Sequence, residues 1–323
     1  MAATRDDVAR RAGVSVAVVS YVVNNGPRPV AADTRRRVLA AIDELGYRPD
    51  TVARQMRTGR SNAVGVVLPD LSLPHFGEMT QVLSQLAADR GQQLIIASTE
   101  WDATAERKQL EFMAGRRVDG VVLMSVDPLQ NFDWLVGLGI WVVVIDRPTA
   151  TVQGALTATR HLLDHGHRRI GFIGGPAELV MNKRRREGWL AALSSGGLDA
   201  LDDLVVATSI SRPGGYEAAG QLLARRDPPS GVYVDSDVQA VGFLRAAADL
   251  GVSVPAEIAV VSGEGTSMAA YAIPSLTTVE IPRREIALEA LNALSLDRKP
   301  ELHRVSNSDF QLVLRQSCGC HPS

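Results

Sequence analysis

Carboxylates and a serine stand at the ends of short apolar runs through the last four-fifths of this 323-residue chain. Asp70 follows Ala63–Leu68, Ser125 ends Gly120–Ser125, Asp146 ends Trp141–Asp146, Asp237 follows Gly231–Asp235, and Glu264 follows Ile258–Ser262. If those runs are parallel strands, the polar groups gather beyond their carboxyl ends, where open α/β sheets bind ligands. Such groups match a polyhydroxylated molecule, whose hydroxyls both donate and accept hydrogen bonds. Each acid also has a plainer reading as a helix cap or loop charge. Catalytic signatures are missing: there is no Gly-x-Ser-x-Gly, phosphate loop or Gly-x-Gly-x-x-Gly, and no suggestive Cys/His pair. His165-Gly166-His167-Arg168-Arg169 reads as a cationic helix end closed by glycine. Cys318-Gly319-Cys320-His321 reads as a terminal tail, and two cysteines make no disulfide framework. Neither a metal nor a cofactor is expected.

The first 60 residues have a different character. They hold 11 arginines against 6 acids, a net of +5 in a chain of net −2, so the rest carries −7. A basic head on an acidic body confines phosphate attraction to one end. Val8, Ala9, Ala12, Val19, Val22, Val38, Ile42 and Leu45 recur at helical spacing and predict a three-helix core. Gly13 suits the tight turn of a helix-turn-helix, and Ser15 is placed to cap the second helix. The amino end of that helix is the part that enters a major groove.

The elements behind the head alternate. Apolar runs at Ala63–Leu68, Leu94–Ser98, Gly120–Ser125, Trp141–Asp146, Ile170–Gly174, Leu204–Thr208, Gly231–Asp235 and Ile258–Ser262 are separated by longer helical patterns. Strands buried on both faces look like this, and the alternation predicts parallel βαβ units. The amino terminus is charged from Arg5 without an apolar core, and no apolar run approaches a membrane span. A cytoplasmic protein is expected. The absence of a heptad pattern gives no support for a tetramerising tail.

Asp7-Val-Ala, Ala12-Gly-Val-Ser, Val19-Ser, Val23-Asn, Thr34-Arg, Leu45-Gly-Tyr-Arg-Pro and Ala53-Arg occur in one order at one spacing. This array resembles the amino-terminal domain of the lactose-repressor/galactose-repressor (LacI/GalR) family of bacterial transcription regulators, and the likeness continues more loosely to the carboxyl terminus. The resemblance implies a sequence-specific dimeric DNA-binding regulator, most simply a repressor, under allosteric control by a small, sugar-like molecule. Its parts would be a helix-turn-helix domain at 1–49, a hinge helix at 50–60 and an effector-binding and dimerisation domain at 61–323. That last domain would be a periplasmic-binding-protein-like (type I) body of two parallel-sheet subdomains. One takes 61–147 and 277–308, the other 148–276 and 309–323.

Carried onto this chain, the resemblance places Val16, Ala17 and Tyr21 in the major groove of a palindromic double-stranded operator. Val16 and Ala17 cannot make bidentate hydrogen bonds, so their readout would be apolar, as against a thymine methyl. Ser15, Ser20, Asn24 and Arg28 are cast as phosphate contacts. Ala53, Met56 and Arg57 fall in the hinge, with Met56 where the family usually wedges leucine into the minor groove. In the body, Asp70, Phe76, Ser125, Asp146, Arg185, Asp237 and Glu264 would face the effector, and Phe76, Trp101 and Trp189 are the candidate stacking rings. The chain departs from the family pattern after Asp146-Arg147-Pro148, where a strand and its Asp-Asn pair are missing. That departure leaves open a regulator with an altered or vestigial pocket. Two further alternatives are a sugar-binding module whose head mediates protein contact instead of DNA binding, and a sugar-modifying enzyme, which would leave the basic head unexplained.

Overall fold

The computed structural model describes residues 3–24, 28–48, 59–127, 130–146, 148–294, 298–305 and 309–320. Two units separate, Met1–Ser61 and Asn62–Ser323.

The first unit contains α1 (Arg5–Ala12), α2 (Val16–Asn24) and α3 (Ala32–Leu45). Thr4 and Asp7 start α1 as a reciprocal capping box: the Asp7 carboxylate accepts the Thr4 N–H at 2.9 Å, and Thr4 Oγ1 accepts the Asp7 N–H at 3.3 Å. Gly13, at φ +64°, ends α1 in the left-handed conformation that glycine adopts at low cost. Ser15 then caps α2, its Oγ accepting the Val18 N–H at 3.4 Å. Val8, Ala9, Ala12, Val19, Val22 and Val38 are buried, with Ile42 and Leu45 packed beside them as their spacing predicts. Ala41 and Tyr47 complete this core without having been foreseen.

The second unit begins β1 (Ala63–Leu68), α4 (Pro74–Asp89), β2 (Gln93–Ser98), α5 (Ala103–Gly115), β3 (Gly120–Leu123), α6 (Asp133–Gly137) and β4 (Trp141–Val144). It continues α7 (Pro148–Asp164), β5 (Ile170–Gly174), α8 (Val180–Ser195), β6 (Val205–Ala207), α9 (Arg212–Leu223), β7 (Gly231–Val234), α10 (Asp237–Asp249) and β8 (Ala259–Ser262). It closes with α11 (Met268–Tyr271), β9 (Thr277–Glu280), α12 (Arg283–Ala293), β10 (Leu302–Arg304) and β11 (Gln311–Val313).

Two sheets result. One is parallel throughout with order β10-β4-β3-β1-β2; the other, β11-β9-β8-β7-β5-β6, is parallel except for β11 against β9. Strands β3, β4, β7 and β8 are buried along their whole length, as continuous apolar runs require. The chain passes between the sheets after β4, after β9 and after β10.

The expected return to the first subdomain at residue 277 is corrected. Thr277–Glu280 pairs with β8 in the second sheet, and packing against the first resumes with α12, where Ile286, Ala290 and Leu291 join Val64, Phe76 and Leu83 in one core. Between β4 and α7 only residues 145–147 intervene, so the strand missing from the sequence has no place here. Gly188 of α8 packs so closely on α7 that a Cβ there would lie 2.2 Å from the Val152 carbonyl oxygen. Among the described residues, no helix is long and apolar enough to cross a membrane.

Candidate ligand cleft and DNA-facing helix

The ends of β1, β3 and β4 in the first sheet and of β7, β8 and β9 in the second converge on one cleft. It encloses about 1100 Å³, part of it open to solvent. Phe76, Met79 and Trp101 line one wall, with Ile281 and Ile286. Phe76 and Trp101 meet edge to face at 5.9 Å between ring centroids. Trp101 is held there by backbone in the left-handed region: Glu100 has φ +51° and Trp101 φ +63°. Two such residues in succession store local strain, a feature that concentrates at functional sites.

The opposite wall is charged. Arg185 on α8 lies 8% exposed and pairs with Asp235, at the end of β7, through Nη1 and Oδ1 at 2.6 Å; Glu264 Oε1 stands 3.9 Å from its other terminal nitrogen. Burial acts against the Arg185 charge, but Asp235, Tyr233 and Glu264 together outweigh it and hold the guanidinium charged. Burial also raises the Asp235 carboxyl, against the pull of Arg185. It pushes Glu264 up to about 8, opposed by Arg185 and reinforced by Asp237 and Asp235. Near neutral pH Glu264 is thus a proton donor as much as an acceptor. Arg184 reaches across the cleft to Asp146 at 2.5 Å, joining α8 to the end of β4 with both side chains only 16% exposed.

Of the expected effector contacts, Phe76, Ser125, Asp146, Arg185 and Glu264 come together on this cleft. Ser125 arrives partly committed: its hydroxyl donates to the fully buried Glu106 at 2.8 Å and accepts the Asp127 N–H at 3.1 Å. Two residues stand elsewhere. Asp70 turns back on its own loop, accepting from the Ser72 N–H and hydroxyl at 2.8 and 2.7 Å. Asp237, in the first turn of α10, is 0% exposed and accepts from Ser262 Oγ, Thr278 Oγ1 and both the N–H and hydroxyl of Thr266. Its acceptor capacity is spent on joining β8 and β9 to α10; Asp70 is the loop charge of the plainer reading, while Asp237 is a buried structural joint, Ser236 being the helix cap. Trp189 is likewise a core ring, 0% exposed and packed on Phe172 at 5.6 Å.

Residue-by-residue reading missed Asp235, Arg184 and Glu106. Asp235 had a legible signal, an acid closing an apolar run two residues before Asp237. Arg184 could not be told from its neighbours in Lys183-Arg-Arg-Arg186 without the helix phase. It also passed over His161, which the fold brings beside Cys318 and Cys320.

In the first unit, Val16 is 39% exposed and Ala17 is exposed at the amino end of α2, leaving both outside the three-helix core. Tyr21 and Ser20 are half-buried on the same helix, and Ser15 and Arg28 are exposed. Asn24 ends α2. The hinge candidates Ala53, Met56 and Arg57 lie outside the described residues.

Known proteins with both units exist. Residues 4–50 match the profile of bacterial regulatory proteins, lacI family, and residues 159–318 match that of a periplasmic binding protein-like domain. The chain is 31% identical to the HTH-type transcriptional repressor PurR of Pasteurella multocida (strain Pm70), covering 98% of each chain. It is 32% identical to catabolite control protein A of Priestia megaterium, covering 90% of each. Among solved structures, a transcriptional regulator CelR–cellobiose complex aligns at TM-score 0.68 with 28% identity, over 98% of this chain and 99% of that one. The lac repressor dimer bound to operator and the anti-inducer ONPF aligns at TM-score 0.81 with 24% identity over 98% and 99%, which speaks for the fold.

Proposed function

This chain belongs to the lacI family of bacterial regulatory proteins, and we propose on that footing that it is a dimeric, cytoplasmic repressor released or engaged by a sugar-like ligand. The observation that carries the ligand class is the mixed apolar and polar lining of the cleft. Its lining combines the Phe76 and Trp101 rings, set edge to face, with the polar groups of Arg185, Glu264, Arg184 and Asp146, the last two meeting across the cleft. A pyranose has this polarity, with C–H faces for the rings and hydroxyls for the charged wall. CelR, whose structure holds cellobiose, is in keeping with that class. The cleft survives the loss of the strand after Asp146, which speaks against a vestigial pocket.

DNA recognition belongs to α2. Val16 and Ala17, exposed at its capped amino end, are positioned for apolar contact with base edges, with Tyr21 one turn on and Ser15, Ser20, Asn24 and Arg28 placed for phosphates. Met56, flanked by Ala53 and Arg57, is the proposed minor-groove wedge of a hinge that folds as a pair on DNA. The ligand acts by binding two arrangements of the body unequally; a 100-fold preference is worth about 2.7 kcal/mol.

The test is selection of bound duplexes from a random pool by the full-length protein, repeated with a panel of mono- and disaccharides. A palindrome whose enrichment changes with one sugar supports the proposal. Enrichment of a palindrome indifferent to every sugar would leave the DNA reading standing and sink the ligand class. Unenriched DNA under all conditions would sink sequence-specific binding itself.

A further inference from the structure

Behind the second sheet, away from the residues that line the cleft, four soft-metal donors converge. His161 and His165 stand four residues apart at the carboxyl end of α7, so both project from one helical face. Their rings lie 4.5 Å apart between centroids. The chain end approaches them through a short 3₁₀ turn, Gln316–Cys318, and Gly319 at φ +82° turns Cys320 back toward the helix. Cys320 Sγ is 3.0 Å from His165 Nε2 and 3.4 Å from His161 Nε2. The donor atoms of His161, Cys318 and Cys320 all lie within 4.8 Å of one another. A tetrahedral ion with metal–sulfur bonds of about 2.3 Å and metal–nitrogen bonds of about 2.0 Å sets its ligand atoms roughly 3.3–3.8 Å apart. His161, Cys318 and Cys320 already cluster on that scale, and His165 stands beside Cys320 as the fourth donor.

We propose that His161, His165, Cys318 and Cys320 form a Cys₂His₂ site for a tetrahedral divalent metal of the zinc class, clipping the carboxyl-terminal segment to α7. The chemistry of the donors fits: two thiolates and two neutral imidazoles cancel the ion's charge and complete four-coordination, leaving no open position for catalysis. The role is therefore structural. Outer contacts already orient the buried ligand, since Cys318 Sγ lies 3.0 Å from Thr277 Oγ1 on β9 and 3.5 Å from the Arg315 carbonyl oxygen. Metal binding would fasten three pieces at once: α7, the second sheet at β9, and the segment after β11. The tail adds little apolar burial beyond Cys318 and the half-buried Cys320, so a metal supplies what packing there does not.

The test uses the full-length protein, reduced and stripped of metal, titrated with Co(II) and then Zn(II). One equivalent of Co(II) is expected to give the absorption of a tetrahedral thiolate complex, abolished by one equivalent of Zn(II). Cys318 is buried, and its replacement risks misfolding, so Cys320→Ser and His165→Ala carry the assay. Each should weaken Zn(II) binding by more than the roughly 10- to 100-fold typical of losing an outer-shell partner. Chelation should lower the melting temperature of the parent protein and leave that of Cys320→Ser unmoved. The proposal fails if no tetrahedral spectrum forms, if it persists undiminished in both variants, or if Cys318 and Cys320 are found joined in a disulfide under reducing conditions.

Discussion

Replacing Glu264 with glutamine isolates one proton. In the folded protein burial pushes this carboxyl from 4.5 up to about 8, while unfolding returns it to water. Between those values the folded state holds a proton that the unfolded state has released, so stability falls as pH rises. The contribution is intact below about 4.5, declines through neutrality and levels off above about 8. At about 1.4 kcal/mol per pH unit, the full window corresponds to about 5 kcal/mol as an upper bound. Glutamine keeps the shape and a hydrogen-bond donor but cannot ionise, so Glu264→Gln should lose this slope. Denaturant unfolding of both proteins at intervals from pH 5 to pH 8.5 gives the two curves. They should diverge steadily in favour of the variant, and a gap of about 2 kcal/mol or more by pH 8 would be consistent with partial relaxation of the site. The buried Asp235, also raised, is present in both proteins, and because it is among the groups that lift Glu264 the difference includes their coupling. Parallel curves across the whole range would show that Glu264 ionises freely and that the cleft is wetter than its burial implies.

Arg185→Met should cost about 3–5 kcal/mol at neutral pH, because it leaves Asp235 buried without its counter-charge; it should also erase any ligand-induced rise in melting temperature. A stable variant that still responds to ligand would mean the ion pair is neither structural nor part of the pocket. Ala17→Gln should add a preference for adenine worth about 1–3 kcal/mol at one position of each half-site, read by repeating the duplex selection; an unchanged logo would move Ala17 out of the groove. Met56→Ala should weaken operator binding while sparing loose binding to unrelated DNA, and equal losses in both would remove the wedge. Gly188→Ala forces α7 and α8 apart and should destabilise the protein by about 1–3 kcal/mol, seen as a shifted denaturation midpoint.

The strand positions and the head were legible because their signals are local: apolar runs of strand length, helical spacing around Gly13, and a cap at Ser15. What the sequence withheld depends on three-dimensional closure. Thr277–Glu280 carries no apolar run, Thr-Thr-Val-Glu, and takes its place by pairing with β8. Asp237 and Asp235 look alike in one dimension. Only the arrival of Ser262, Thr266 and Thr278 around the first and Arg185 beside the second makes one a joint between strands and the other the partner of a cleft residue. The converging thiols and imidazoles were hidden for the same reason, being about 155 residues apart along the chain.

The passages between the two sheets also set the mechanics of the body. The first lies between Val144 and Pro148, the second between Glu280 and Arg283, and the third between Arg304 and Gln311. Tethers of three and two residues allow neither sliding nor separation of the lobes, since chain reaches only about 3.5 Å per residue. They act as the pins of a hinge, and the freedom left is rotation about the line joining them. Displacement under such rotation grows with distance from the pins. A ligand that changes the cleft width by a fraction of an ångström close to the axis therefore moves the far rim of each lobe by more, giving the body a lever ratio fixed by where its chain crosses.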